Sequence, residues 1–318
     1  MEKLVERVPA TRSSLVAAPA LAVQFFLIPL AVVGITVLVY IGFRSLLTDK
    51  RTAEDYLLEI RTGGMARQWP AAFELSQLMD DAKVRADKSL AVALVKAFDE
   101  SKDGDPRVRK YLALAIGRLE PPLPAEAVDS LLKSLDDPEK TWTPDVWSRI
   151  NGWTDEMNEA HITAIWALGA SGDAAVASKL QPLYGSPDPG IRKMVVYALG
   201  ALPGDQQLVT LRTALGDAAP DVRWNAAVAL ARHGNHDGVS IVAQMLDRAY
   251  VEQTVKRDVR QDEDRDPIGE VIVSGLRAAA SLKDASLQPS VERLSQSDRS
   301  MRVRQAALEA MRMMRGEG

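Results

Sequence analysis

Four arginines recur in the same short pattern along this chain, and their type and spacing give them the clearest chemical potential. They are Arg109, Arg192, Arg223 and Arg304, each directly after a valine or isoleucine. A row of guanidinium groups could bind phosphate through paired N–H donors. The arginines also recur in register with residues that suit helix N-caps, which favours ion pairs or hydrogen bonds between repeats. We interpret them as structural, with an anion site as the alternative.

Other reactive side chains are few. The chain has no cysteine and three histidines, which excludes thiolate chemistry and cysteine metal sites. His233, His236 and Asp237 have spacing that could suit a metal ion, but a histidine at a helix end more often meets free carbonyl groups. No glycine-rich phosphate loop and no Gly-x-Ser-x-Gly sequence occurs. We therefore expect no catalytic residue, no metal ligand and no cofactor, and a protein that is not an enzyme.

A cluster of tryptophans interrupts the repeated pattern at residues 136–156, which read DDPEKTWTPDVWSRINGWTDE. Trp and Arg dominate the binding hot spots of protein interfaces. The candidate partner-binding residues are Trp142, Trp147, Arg149 and Trp153. The alternative is that these rings fold back and fill the gap created by a longer repeat.

Short amphipathic helices must position all of these residues. From about Thr52 onward, apolar residues recur at helical spacing between Gly, Pro and Asp, without convincing strand alternation. In each unit of about 31 residues, a capped and alanine-rich first helix ends at a glycine, and a second helix follows. Caps are predicted at Asp105, Asp188 and Ser300, first-position prolines at Pro106, Pro189 and Pro220, and stops at Gly172, Gly204 and Gly234. A degenerate first copy is RQWPAAFELSQL at 67–78.

The N-terminal segment differs in composition. No charged side chain lies between Arg12 and Arg44, and residues 20–43 read ALAVQFFLIPLAVVGITVLVYIGF. A helix of this length would span roughly 36 Å, enough for a hydrocarbon core of about 30 Å. We predict a single transmembrane helix over 20–43, with a cleaved signal peptide or a buried core helix as alternatives. The flanking basic residues favour a cytoplasmic repeat domain by one charge.

The charge balance argues against a nucleic-acid partner. The formal net charge is −4, and the basic residues are dispersed along the chain, whereas a nucleic-acid backbone needs a concentrated positive face. Only 5% of residues are aromatic. We therefore expect a core built mostly from Ala, Leu and Val.

The pattern D-x-x-P-x-V-R-x-x-A resembles that of HEAT-repeat proteins, in particular the short repeats of phycobilin lyases, over roughly residues 65–315. The resemblance implies an all-α, right-handed α-solenoid of about six or seven helical hairpins. A di-iron hydroxylase with paired His-Glu dipeptides is similar in fold. Here Ile162, Gly234 and Asp237 follow the histidines, so that ligand set is absent. HEAT-like DNA glycosylases need a basic surface that this chain lacks.

These observations predict an organisation and a function. Residues 1–19 form an N-terminal tail, 20–43 the transmembrane helix, 44–64 a linker with a short helix, and 65–318 the HEAT-like repeat domain, with insertions near 134–158 and 248–266. We expect a non-catalytic, single-pass membrane scaffold or adaptor that binds another protein, such as a member of a membrane complex. A lyase-like factor for cofactor attachment or maturation is the alternative.

Overall fold

Helices joined by turns make up the described parts of the chain. The computed structural model describes residues 28–47, 51–136, 154–255 and 266–316, and these ranges contain seventeen α-helices and no strand. The chain forms two compact units, Met1–Thr52 and Ala53–Gly318. The all-α prediction is confirmed for the described residues.

The first unit contains helix α1, Ile28–Leu47, whose described aliphatic side chains are exposed. Among the described residues, no helix is long and apolar enough to cross a membrane. The transmembrane helix predicted over 20–43 is therefore not confirmed. The described helix starts at Ile28 and continues beyond the apolar stretch through the charged Arg44, while residues 20–27 lie outside the described ranges.

Fourteen described helices of the second unit lie in two rows. The first row consists of α3 (Met65–Leu78), α6 (Pro106–Gly117), α8 (Thr154–Gly169), α10 (Pro189–Ala201), α12 (Pro220–Arg232), α15 (Pro267–Leu282) and α17 (Met301–Arg315). The second row consists of α2 (Ala53–Thr62), α5 (Lys88–Glu100), α7 (Ala125–Leu135), α9 (Val176–Leu180), α11 (Leu208–Ala214), α13 (Val239–Met245) and α16 (Gln288–Ser297). Two short helices, α4 (Ala82–Arg85) and α14 (Arg248–Thr254), lie in the connections.

The rows stack into a HEAT-like helical repeat. Successive first-row helices pack against one another, and each second-row helix packs against the first-row helix that follows it in the chain. Helix α2, which falls in the predicted linker, is the first member of the second row. The core is built mainly from Ala, Leu, Val and Ile, as the composition predicted.

The predicted helix starts are confirmed with one exception. Asp105 and Asp188 cap α6 and α10, since their carboxylates accept hydrogen bonds from backbone N–H groups at 2.9 and 2.7 Å. Proline occupies the first turn of α6, α10 and α12. Ser300 is at the N-cap of α17, but its side chain makes no capping bond. The Asp298 carboxylate instead accepts a hydrogen bond from the Ser300 N–H at 2.8 Å.

The predicted glycine stops have the backbone conformation that ends a helix. Gly172, Gly204 and Gly234 have φ angles of 75°, 97° and 66°. A side chain would be strained in this left-handed region, whereas glycine adopts it freely. These glycines turn the chain from the first row toward the second.

Small residues let the first-row helices approach each other closely. A methyl group placed on Gly169 would lie 2.7 Å from Cα of Ala198, and one on Gly200 would lie 2.9 Å from Cα of Ala229. Gly117 meets Ala167 in the same way at 2.8 Å. Each glycine therefore packs on an alanine of the next first-row helix, which explains why the alanine-rich stretch recurs.

Much of both predicted insertions lies outside the described residues, which leave out 137–153 and 256–265. Helix α8 begins directly after the first of these gaps, and Asp266, the N-cap of α15, follows the second.

The helix contacts predict that Gly169→Ala and Gly200→Ala each lower the free energy of unfolding by about 1–3 kcal/mol, because overpacking must push a neighbouring backbone away. The predicted decrease is a net value, because alanine also gains up to about 1 kcal/mol in helix propensity over glycine. Urea unfolding followed by circular dichroism measures the effect. Gly185→Ala is the control, since its methyl group would enter open space. Equal stability of all three variants would contradict the close helix contacts.

Candidate functional site

Arg192 joins two neighbouring hairpins. Its Nε and Nη2 atoms each donate a hydrogen bond to the Asp217 carboxylate at 2.9 Å. Its Nη1 atom donates to the backbone carbonyls of Ser186 and Pro187, at 3.0 Å in both cases. Asp217 lies in the turn before α12, whereas Arg192 belongs to α10. The guanidinium group therefore ties the turn before its own helix to the turn before the next first-row helix.

Asp217 is buried at the centre of this arrangement. In addition to Arg192, its carboxylate accepts hydrogen bonds from the Tyr184 hydroxyl and the Ala219 N–H, both at 2.9 Å. Its backbone carbonyl accepts from Nη1 of Arg223 at 2.8 Å. The hydrogen bond from Arg192 lowers the pKa of Asp217 to about 2. Burial, together with the bond to Asp217, raises the pKa of Tyr184 to about 12.

The last first-row helix has the same arrangement with a different arginine. Nε and Nη2 of Arg248 donate to the buried carboxylate of Asp298, both at 2.7 Å. The Asp298 backbone carbonyl accepts from Nη1 of Arg304. The hydrogen bond to Asp298 raises the pKa of Arg248. The same arrangement therefore occurs twice. In each case a buried aspartate binds an arginine of an earlier helix and one of the repeated arginines.

The predicted contact between repeats is found for Arg192, whereas the other repeated arginines make contacts of a different kind. Arg192 makes the predicted ion pair between hairpins. Arg223 and Arg304 instead bind backbone carbonyls in the turn before their own helix, six residues earlier. Arg109 lies 5.1 Å from the ring centroid of Phe98. Because the donors of Arg192 are committed to Asp217 and the turn, they do not form an anion site.

The histidine group considered from sequence does not come together as a site. His233 lies 3.4 Å from the Gln207 amide, His236 lies 3.0 Å from Asp284, and Asp237 pairs with Arg212. These three residues therefore face separate partners. In the part of the chain that the structure describes, no group of three or more His, Asp or Glu residues is placed to hold a metal ion.

Trp142, Trp147, Arg149 and Trp153 lie outside the described residues. Their role as a binding loop stays a prediction.

A second aromatic group, which the sequence analysis did not select as a binding surface, lies on the first-row helices α3 and α6. We call it the aromatic ridge; its members are Trp69, Phe73, Arg107, Lys110 and Tyr111. The Arg107 guanidinium lies 4.9 Å from the Trp69 ring centroid, and the rings of Phe73 and Tyr111 meet edge to face at 5.2 Å. Lys110 lies 5.4 Å from the Tyr111 centroid and pairs with Glu159 of α8. The ridge therefore links three successive helices of one row.

The ridge remains partly exposed, since Phe73 is exposed and the other four members are half-buried. The sequence offered one signal for it. The degenerate copy at 67–78 aligns Trp69 with Trp224, but Trp224 is buried whereas Trp69 is not. Sequence similarity marked the position and did not reveal its exposure.

A cleft of about 450 Å³ lies where the start of α5 meets the turn over 119–124. Its walls include Val92, Leu119 and three prolines, together with charged residues of both signs. Its volume is within the range of small-molecule sites. Its charged side chains are of both signs and do not favour either an anionic or a cationic ligand.

The comparisons with known proteins bear on the fold. No family model matches the chain, and no curated protein matches it. A solved structure of human deoxyhypusine hydroxylase in complex with glycerol is similar at 16% sequence identity, with a TM-score of 0.34, over 83% of this chain and 96% of that chain. At this level of similarity, no activity is carried over. The described helices form a HEAT-like helical-repeat fold.

The comparison corrects the expectation that this chain is not an enzyme. The similar solved structure is that of an enzyme; no activity is carried over from it, and an all-helical repeat fold by itself does not exclude catalysis. The physical reason is that a stacked scaffold can present reactive side chains on its exposed faces, and a fold alone does not define a function.

The buried ion pair between Arg192 and Asp217 predicts that Asp217→Asn lowers the free energy of unfolding by about 2–4 kcal/mol at pH 7. The substitution leaves the Arg192 charge without its counterion. The folded-state pKa of Asp217 is depressed, so its contribution is present above the unfolded pKa near 3.8 and disappears as pH falls through about 2. Urea unfolding at several pH values measures both effects. Asp221→Asn, which removes a more exposed pair with Lys193, should cost less than about 1 kcal/mol. Equal losses of stability in Asp217→Asn and Asp221→Asn would contradict the structural role of the buried ion pair.

Proposed function

We propose that the repeat unit binds another protein and that the aromatic ridge is part of the binding surface. The observation that carries this proposal is a partly exposed set of Trp, Phe, Tyr and Arg side chains that are fixed against one another across α3 and α6. Trp, Tyr and Arg are the residue types enriched in binding hot spots. Stacked repeats also present an extended surface that suits a protein partner.

The ridge is organised before any partner arrives. Arg107 stacks on Trp69 while its Nε and Nη2 atoms donate to the Asp105 carboxylate, with Nη2 at 2.7 Å. Asp105 is itself held as the cap of α6. Side chains that already occupy one arrangement lose less conformational entropy on binding, which favours affinity.

A site-specific photo-crosslinker tests the proposal in the full chain. With the crosslinking amino acid at Phe73, we expect one discrete partner protein to be captured. With the same amino acid at Val209, an exposed site on α11, we expect no such product. Arg107→Ala should reduce partner recovery about tenfold, equivalent to about 1.4 kcal/mol.

Arg232→Ala is the matched control, because it also removes a guanidinium group from the face of an aromatic ring, that of Tyr197 at 5.5 Å, but it lies outside the ridge. Partner recovery should not change in this variant. Equal crosslinking at Phe73 and Val209, or equal losses in the two arginine variants, would contradict the proposal. A purified chain that carries a bound chromophore and captures no protein would favour the cofactor-maturation alternative.

We also propose a membrane location through residues 20–43, with the repeat unit on the cytoplasmic side. The proposal is supported by the uncharged composition of this segment and by the exposed aliphatic side chains of α1. Val32→Lys should reduce recovery in floated membranes, since Val32 lies near the middle of residues 20–43 and a lysine at mid-depth costs about 2.5–3.5 kcal/mol. Val92→Lys, at an exposed site of the repeat unit, is the control. Equal recovery of both variants would contradict the proposal, and a C-terminal reporter active only outside the cytoplasm would overturn the orientation.

A further inference from the structure

The two ends of the repeat unit each expose a helix face of the kind that internal helices cover with a neighbour. Helix α2 packs against α3 and α5, and α17 packs against α15 and α16. Each of these end helices buries one side and leaves the opposite side exposed. Terminal repeats of a soluble solenoid are usually capped by a polar outer face.

The exposed side of α2 carries an apolar residue within an acidic helix. Ala53, Leu57 and Ile60 are buried, whereas Leu58 is 61% exposed. The helix has three acidic residues and one basic residue; they are Glu54, Asp55, Glu59 and Arg61. The N-terminal end of the repeat unit is therefore apolar and negatively charged.

The exposed side of α17 has apolar residues within a basic helix. Val303, Ala307 and Ala310 are buried, whereas Met301 is 71% and Leu308 is 47% exposed. The helix has four arginines and one acidic residue; they are Arg302, Arg304, Arg312, Arg315 and Glu309. The C-terminal end is therefore apolar and positively charged, although the whole chain has a net charge of −4.

We propose that these two ends bind each other between copies of the chain, so that the last hairpin of one copy (α16 and α17) stacks on the first hairpin of the next (α2 and α3). This head-to-tail contact joins unlike surfaces and leaves a free end on each side of a pair. It can therefore extend into a ring or a filament.

Charge and helix order both favour a second copy as the occupant. Opposite charges on the two ends attract at contact distance and also discriminate against end-to-end contacts of the same kind. The row order also matches, because α2 belongs to the second row and α17 to the first. Inside the repeat unit, first-row helices stack on first-row helices, and stacking the two end hairpins would continue that order. The contact would bury the exposed leucine or methionine side chains of both ends.

Sedimentation velocity of the full chain in a mild non-ionic detergent tests the proposal over a range of protein concentrations. We expect concentration-dependent association that weakens as salt is raised, because part of the attraction is screened. Leu58→Arg and Leu308→Glu should each raise the dissociation constant at least about tenfold, equivalent to about 1.4 kcal/mol. Each change removes an apolar contact and adds a charge that opposes the facing end.

A mixture of the two variants tests the head-to-tail geometry. The Leu58→Arg chain keeps its C-terminal end, and the Leu308→Glu chain keeps its N-terminal end. The mixture should therefore associate more strongly than either variant does alone. Val209→Glu is the matched control, because it charges an exposed apolar site on α11, away from both ends of the repeat unit, and should associate like the unaltered chain.

Three outcomes would overturn the proposal. The first is a chain that stays monomeric up to about 100 µM, which is weaker than typical specific association. The second is association that Val209→Glu weakens as much as the end variants do, or that none of the variants weakens. The third is a mixture of Leu58→Arg and Leu308→Glu chains that associates no more strongly than either variant does alone. None of these outcomes bears on the aromatic ridge, so this test is independent of the proposed function.

Discussion

A buried carboxylate in the turn before a first-row helix is the constraint on which the stacking of this repeat unit depends. Asp217 receives the paired donors of Arg192 from the previous hairpin, and its backbone receives Arg223 from its own helix. A buried charge is tolerated only when it is paired and hydrogen-bonded. The carboxylate therefore fixes the distance and the rotation between adjacent hairpins. Asp298 and Arg248 repeat the arrangement near the C-terminal end.

This local register determines which surfaces stay available for binding. The close contacts between glycine and alanine, such as Gly200 on Ala229, bury the sides of the first-row helices that face their neighbours in the row. On α3 and α6, larger side chains that stay partly exposed form the aromatic ridge. The ends of the rows, without a neighbouring hairpin, keep Leu58 and Leu308 exposed. The proposed partner-binding surface and the proposed contact between copies therefore involve different residues of the repeat unit.

The repeat architecture was largely predictable from sequence, because helix signals act locally. Proline starts, the aspartate caps of α6 and α10, and glycine stops depend on neighbouring backbone groups, and the structure confirms them. The partners of the arginines were only partly predictable, since Asp217 is 25 residues from Arg192 and spacing alone does not show which acid is buried. The exposure of individual side chains was still harder to predict from sequence. Trp69 and Trp224 occupy aligned positions, yet only the packing of the row makes one half-exposed and the other buried.

A double-mutant cycle on Arg192 and Asp217 tests the central claim most directly. The free energy of unfolding is measured at pH 7 for the unaltered chain, Arg192→Gln, Asp217→Asn and the double variant. If this pair holds adjacent hairpins together, the sum of the stability losses in the two single variants will exceed the loss in the double variant by about 1–3 kcal/mol. If that sum equals the loss in the double variant to within about 0.5 kcal/mol, the two residues act independently, and this result would contradict the account.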